Sequence, residues 1–144
     1  MELSCRTEYA LLALLELTSH YQQGDPLQIK QIAQAQQIPD RYLEQLLATL
    51  RRGGIVASQR GAKGGYLLAQ PPWQITLLDV IDCLEGSDSR SKTETTVTTV
   101  EAAVVEEIWQ EVYDSAYEIL KRYSLQDLSD RRNVRSQVNL MYYI

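Results

Sequence analysis

The pattern of apolar and polar residues along the first half of the chain predicts three helices. Apolar residues between Ser4 and Tyr21 cover most sides of a first helix, and Ser4 is suited to cap its start. A second, short helix is predicted over 29–36, before Ile38-Pro39. In a third helix, 40–52, leucines recur at i, i+3, i+4 and i+7, the spacing of one buried face. These leucines are Leu43, Leu46, Leu47 and Leu50.

Two short apolar runs, 55–57 and 66–68, enclose a glycine-rich basic turn and predict a β-hairpin. Gly53-Gly54 supplies the left-handed conformation that a helix end commonly needs. Pro71-Pro72 ends the second strand, because proline cannot continue a hydrogen-bonded ladder. Helices followed by a basic hairpin are the plan of a winged helix-turn-helix, in which the third helix enters a DNA groove and the hairpin is the wing.

The second half of the chain predicts a connecting helix and a long interaction helix. Thr76 and Asp79 form a capping box for a fourth helix, and the Ser/Thr-rich residues 87–99 indicate a mobile loop. A long helix over about 100–123 has apolar residues spaced 3, 4, 4, 3 and 4, which favours pairing with a twofold mate over covering its own domain. This dimerisation seam comprises Val105, Ile108, Val112, Ala116, Ile119 and Tyr123.

We therefore expect a mainly α fold with a small β-hairpin wing. The predicted units are a winged helix-turn-helix domain over 1–75, a connecting helix, loop and dimerisation helix over 76–128, and a C-terminal tail over 129–144. The tail ends in Tyr142-Tyr143-Ile144, and we expect these apolar residues to dock on the dimer, since an exposed apolar terminus is unfavourable.

Charge is distributed unevenly along the 144 residues. The chain carries a net charge of -5, which on average disfavours nucleic acid. Residues 41–63, however, carry five cations against Glu44, a net +4, whereas 79–118 carry eleven carboxylates against two cations, a net -9. One end of the molecule is therefore expected to attract DNA and the other to repel it.

The third helix and the hairpin contain the candidate DNA-binding residues. Arginine suits guanine edges, glutamine suits adenine, and glutamate accepts from the cytosine amino group. Cations of the wing can contact phosphates or the minor groove. A phosphate-binding loop of the Walker type is excluded, because Lys63 precedes Gly64-Gly65 and no hydroxyl residue follows it. The candidates are Arg41, Tyr42, Glu44, Gln45, Arg51, Arg52, Arg60, Gly61, Lys63, Gly64, Gly65 and Tyr66.

Other classes of protein find little support in the sequence. There is no run of about 18 apolar residues and no signal peptide, so we expect a cytoplasmic protein without a membrane partner. The single histidine, His20, has no neighbouring nucleophile and is expected to be a surface or cap residue. Cys5 and Cys83 lack metal-site spacing, so no metal is predicted and no catalytic residues are identified.

The ordered series of short motifs resembles the Rrf2 family of bacterial winged-helix regulators over about residues 2–128. The motifs include Glu8-Tyr9-Ala10, Tyr42-Leu43-Glu44-Gln45-Leu46-Leu47, Arg60-Gly61, Gly64-Gly65-Tyr66-Leu67-Leu68 and Leu84-Glu85-Gly86. The resemblance implies a homodimeric transcription regulator with a long dimerisation helix after the wing. Two recognition helices on a twofold axis would read double-stranded, palindromic operator DNA. It also implies that Tyr42, Glu44 and Gln45 lie in the recognition helix and that 60–66 form the wing.

Many members of this family hold an iron-sulfur cluster on three cysteines before the long helix, and this chain has none there. Glu106 stands where IscR-like proteins place a histidine, three residues before Trp109. We expect no cofactor, because the remaining candidates, Glu8, Cys5 and Cys83, are too few for such a cluster.

The sequence leaves open both the signal and two alternative functions. The signal for regulation is a small molecule, a protein partner or thiol oxidation. The rival function is a winged-helix module that docks protein through the acidic region 79–118 and does not read DNA. A further alternative is an iron-sulfur sensor with non-standard ligands. An enzyme is not expected.

Overall fold

The computed structural model describes residues 4–86 and 99–142. Six α-helices and one two-stranded sheet make up the described part of the chain. They are α1 (Cys5–Ser19), α2 (Ile29–Gln36), α3 (Asp40–Arg52), β1 (Val56–Gln59), β2 (Gly65–Leu68), α4 (Leu77–Glu85), α5 (Val100–Arg122) and α6 (Leu125–Tyr142). Single 3-10 turns lie at Tyr21–Gln23 and Pro72–Gln74. The predicted mainly α fold with a hairpin is confirmed.

The hydrophobic core lies between α1, α2, α3, the hairpin and α4. The leucine stripe of α3 is buried as predicted, with Leu43, Leu47 and Leu50 fully inaccessible to solvent. Leu14 of α1 and Ile32 of α2 are equally buried. Because burial of each such side chain contributes about 1.5–3 kcal/mol, this stripe fixes α3 on the domain and turns its opposite face outward.

Local capping sets the starts of two helices where the sequence predicts them. The Ser4 hydroxyl accepts the backbone N–H of Thr7 at 3.2 Å and caps α1. The Thr76 hydroxyl accepts the N–H of Asp79 at 3.1 Å, and the Asp79 carboxylate accepts the N–H of Thr76 at 3.0 Å. This reciprocal pair is the predicted capping box of α4.

The hairpin is antiparallel, and its register pairs Val56 with Leu68 and Gln59 with Gly65. A third short segment joins it, because the backbone of Leu27 exchanges two hydrogen bonds of 2.8 Å with Tyr66. The hairpin is thereby attached to the segment that precedes α2, so its position relative to the helix-turn-helix is fixed by backbone contacts.

The helix α6 was not predicted from the sequence. It begins at a second capping box, in which Ser124 and Asp127 exchange side-chain and backbone hydrogen bonds of 2.9 and 3.2 Å. The N–H of Leu125 donates to Ile75 and that of Leu77 to Tyr123, both at 2.9 Å, so α6 starts beside α4. The region predicted as a tail over 129–144 is therefore helical through Tyr142.

Two sequence expectations fall outside the described residues in whole or in part. The predicted loop at 87–99 lies outside them except for Thr99, whose hydroxyl accepts the N–H of Ala102 at 3.0 Å and caps α5. Tyr143 and Ile144 also lie outside them. None of the described helices is both long enough and apolar enough to cross a membrane.

Candidate nucleic-acid interface

The exposed face of α3 contains the polar residues predicted to read bases. Arg41, Glu44 and Gln45 are all exposed, because the leucine stripe on the opposite side of the helix is held in the core. A helix side that presents a guanidinium, a carboxylate and an amide offers donors and acceptors suited to the edges of base pairs in a major groove.

Tyr42 differs from these three residues, because its side chain is half-buried against the core. Its ring meets that of Tyr9 edge-on, with centroids 5.5 Å apart and an interplanar angle of 74°. The contact ties the first turn of α3 to α1. Tyr42 therefore helps to hold the exposed face of α3 in position.

Two arginines in the last turn of α3 are exposed and steadied by neighbouring hydroxyls. Arg51 donates to Ser58 of β1 at 3.3 Å, and Arg52 donates to Thr49 at 3.4 Å. Arginines at the end of a helix also complement its negative pole. Both guanidiniums keep further donors for an anionic partner.

The wing tip presents the predicted cations to solvent. Arg60, Gly61 and Lys63 are exposed in the connection between β1 and β2. The turn is closed by the N–H of Gly64, which donates to Gly61 at 3.0 Å. The amide of Gln28, at the start of α2, donates to Ala62 at 3.5 Å and links the tip to the helix-turn-helix.

Gly64, Gly65 and Tyr66 have a different setting from the wing cations. Gly64 is buried and Tyr66 is half-buried against the core. At Gly65 the backbone has φ of +154°, and a Cβ there would collide with the carbonyl oxygen of Leu27. These residues allow the close approach of backbone segments that gives the wing its shape.

Gly65→Ala is expected to destabilise the domain by roughly 2–5 kcal/mol, since it combines an unfavourable φ with a backbone collision. Gly61→Ala is the matched control: Gly61 has φ of +109°, but a Cβ there would meet nothing within 4 Å. It should lose only about 1–2 kcal/mol. Urea denaturation followed by circular dichroism measures the free energy of unfolding of both variants. Equal losses would contradict the view that the close approach of Leu27 to the hairpin requires a glycine at position 65.

Cys83 of α4 packs against the end of α3. Its thiol donates to the carbonyl of Thr49 at 3.5 Å, and a Cβ on Gly53 would collide with its sulfur. Burial raises the pKa of the Cys83 thiol above its ordinary value, and the charges of Arg6 and Arg52 offset this only in part. Cys83 is therefore protonated at neutral pH, and its side chain packs against Thr49 and Gly53.

Three polar residues that the sequence analysis did not select lie at this surface: Arg6, Gln28 and Thr49. Gln28 and Thr49 form the hydrogen bonds described above. Arg6, in the first turn of α1, lines a cavity together with Gln45 and Arg52 of α3. Nothing in the local sequence indicates that α1 reaches α3 at this point, because the contact depends on tertiary packing.

His20 is the C-cap of α1, as predicted, and its Nδ1 lies 3.2 Å from the Gln23 side-chain oxygen.

Comparison with known proteins identifies the same architecture. The chain matches the Rrf2 family model, described as an iron-dependent transcriptional regulator, over residues 3–131. It is 34% identical over 142 residues to the HTH-type transcriptional regulator CymR of Bacillus subtilis, with 99% of each chain covered. The solved structure of T. potens IscR matches with a TM-score of 0.77 and 34% identity, covering 92% of this chain and 88% of that one. The structure of B. subtilis CymR matches with a TM-score of 0.77 and 35% identity, covering 91% and 98%.

The donor set of this chain does not fit the iron implied by that family description. Among residues 4–86 and 99–142, no group of three or more His, Cys, Asp or Glu side chains could hold a metal ion. The chain has two cysteines in all; Cys5 is exposed, whereas Cys83 is half-buried with its thiol against Thr49. An iron-sulfur centre normally needs about four ligands of thiolate type, and Glu8 adds only a carboxylate to these two thiols.

The matched family and relatives are transcription regulators and not enzymes, which agrees with the expectation from the sequence. The relatives' helix-turn-helix names agree with the α2–α3 unit of this chain, which the β1–β2 hairpin follows. The chain therefore belongs to the Rrf2 family and is a winged-helix, DNA-binding transcription regulator of the IscR and CymR type.

Proposed function

We propose that the protein acts as a homodimer on palindromic operator DNA, with α3 reading bases, the wing contacting the backbone and α5 forming the dimer interface. The observation that carries the proposal is the apolar face of α5. Val105, Ile108, Val112 and Ile119 of the predicted seam are about half exposed or more, at 63%, 51%, 46% and 47%. Large contiguous apolar patches are rare on monomers and mark interaction sites.

The exposed apolar face of α5 is wider than the predicted seam. Val104, Trp109 and Tyr113 flank it and are 53%, 57% and 43% exposed, whereas Ala116 and Tyr123 of the seam are half-buried. None of the residues of α5 is buried. Gln110, Asp114 and Lys121 occupy the opposite side of the helix, and Glu107, Glu111 and Glu118 border the apolar face on the side of Val104. This arrangement suits a helix that pairs through one face and keeps the other in water.

Twofold pairing would also explain how the protein selects a site. Two copies of α3 related by a twofold axis can read two half-sites about one helical turn apart. The predicted base-reading residues are Arg41, Glu44 and Gln45, with phosphate contacts from Arg51, Arg52, Arg60 and Lys63. The acidic α5 faces would lie away from the duplex, since they repel phosphate.

The C-terminal residues fit the same arrangement. Leu140, Met141 and Tyr142 are 65%, 77% and 85% exposed on the chain by itself. We propose that they dock on the dimer, where they would lose this contact with water.

The regulatory signal is a small molecule, a protein partner or thiol oxidation.

Salt-dependent binding to duplex DNA distinguishes this proposal from a module that docks protein. Affinity should fall steeply as salt rises, because bound cations displace counterions from phosphates. Lys63→Ala should weaken binding to all sequences and make the slope of log K against log salt shallower by about one per protomer. Fluorescence anisotropy with labelled duplexes measures both quantities. Lys121→Ala, on α5, is the matched control and should leave the slope unchanged; no binding, or an unchanged slope for Lys63→Ala, would contradict the proposal.

A further inference from the structure

A cavity of about 380 Å³ lies between the first turn of α1 and the outer face of α3. From α3, Gln45, Thr49 and Arg52 line it; they are spaced four and three residues apart and share one side of the helix. Arg6 lines it from α1. The remaining lining residues are Tyr42, Leu46 and Ala48.

The lining of this cavity is strongly cationic for so acidic a chain. Among the described residues that line it are two arginines and no carboxylate, and the amide of Gln45 and the hydroxyl of Thr49 add neutral hydrogen-bonding groups. The Arg52 guanidinium is held by Thr49 at 3.4 Å, so one side of the cavity is partly ordered before anything binds. Arg6 belongs to α1 and Arg52 to α3, and both line this cavity, so two cations from different helices lie in one region.

The placement of Arg6 does not serve the stability of α1. A cation in the first turn of a helix opposes the positive pole of the helix dipole, where acidic residues are favoured. Arg6 is also exposed, so it is not retained for core packing. Two guanidiniums that line one cavity repel each other, and an oxyanion bound to both would replace that repulsion with charge-assisted hydrogen bonds.

We propose that Arg6 and Arg52 bind one phosphate-type oxyanion in this cavity. The oxyanion is a phosphodiester of the DNA backbone or a free phosphate ion. Binding of a DNA phosphodiester rests on the proposed function, whereas binding of a free phosphate ion does not. Because Gln45 lines the same cavity, an ion bound there competes with DNA for the recognition face of α3.

The DNA source is tested by the salt dependence of duplex binding. Arg6→Gln is expected to lower affinity about tenfold and to make the salt slope shallower by about one per protomer, as loss of a charge-assisted phosphate contact would. Arg6→Lys retains the charge and should keep the slope. Arg135→Gln, on α6, removes an arginine away from the cavity and is the matched control. Thermal melting of each variant by circular dichroism shows whether it is folded.

The free-ion source is tested by titrating the protein with inorganic phosphate and following the arginine Nε–H and backbone amide signals by NMR. Saturable shifts at Arg6, Thr49 and Arg52 that disappear in Arg6→Gln are the expected result. Phosphate should then weaken DNA binding more than chloride does at the same ionic strength.

The two tests together assign the site. A changed salt slope without saturable phosphate shifts assigns the cavity to DNA, and the reverse assigns it to a free ion. Both results together support a site at which free phosphate and the DNA backbone compete. If Lys63→Ala changes the slope while Arg6→Gln alters neither the slope nor any phosphate shift, the proposed function stands and the oxyanion site is refuted. If neither substitution changes DNA binding, the proposed function fails and the phosphate titration alone decides on the site.

Discussion

Ile108→Glu is expected to convert the protein to a monomer and to abolish tight operator binding. In a twofold pair of α5 helices, Ile108 would lie in the buried seam, and each dimer would then contain two buried carboxylates. Burial of an unpaired charge costs several kcal/mol, so we expect the dimer dissociation constant to rise by at least ~100-fold. Analytical ultracentrifugation over a range of concentrations measures this directly.

The loss of dimerisation should also be visible in DNA binding. A monomer engages one half-site at a time and loses the effective concentration that links two modules, which amounts to a ~100-fold or larger loss of affinity for a two-half-site operator. Gln110→Glu introduces the same charge on the polar side of α5 and is the matched control. It should remain dimeric. A dimeric Ile108→Glu protein would show that another surface joins the protomers.

Arg41→Ala and Gln45→Ala are expected to remove base preference while retaining binding to DNA in general. Each side chain is exposed on α3 and can form a bidentate contact with a base edge, which contributes about 1–3 kcal/mol of discrimination. The preference for an operator over a version altered at the contacted base should therefore fall by roughly 10–100-fold in each variant.

Competition binding with matched pairs of operator and altered duplexes measures this preference. Arg135→Ala and Gln137→Ala make the same chemical changes on α6 and should have no effect. If the two α3 variants lost affinity equally for all sequences, their side chains would be phosphate contacts and other residues would have to read the bases.

The parts of the fold that depend on local sequence were predictable. The bounds of α2 and α3, the stripe of buried leucines and the Thr76–Asp79 capping box follow from spacing and capping rules that act within one or two helical turns. The exposed face of α3 followed in turn, since a buried stripe determines which residues remain outside.

The features that were missed depend on contacts between distant segments. The sequence of α6 has no strong apolar stripe, and only Leu125 and Ser129 of this helix are buried. Its start is positioned by backbone hydrogen bonds with residues 75–77. The Leu27–Tyr66 pairing and the approach of Arg6 to α3 likewise join residues far apart in the chain. For Gly64 and Gly65, the sequence indicated a turn but not that their neighbours leave no room for a side chain.

Selection of binding sites from random duplexes by the full chain tests most directly whether this protein reads palindromic DNA as a dimer. We predict enrichment of an inverted repeat whose half-sites lie about one helical turn apart, and loss of that repeat in Ile108→Glu. Recovery of duplexes without a shared sequence, or of a single asymmetric site bound by one protomer, would contradict it.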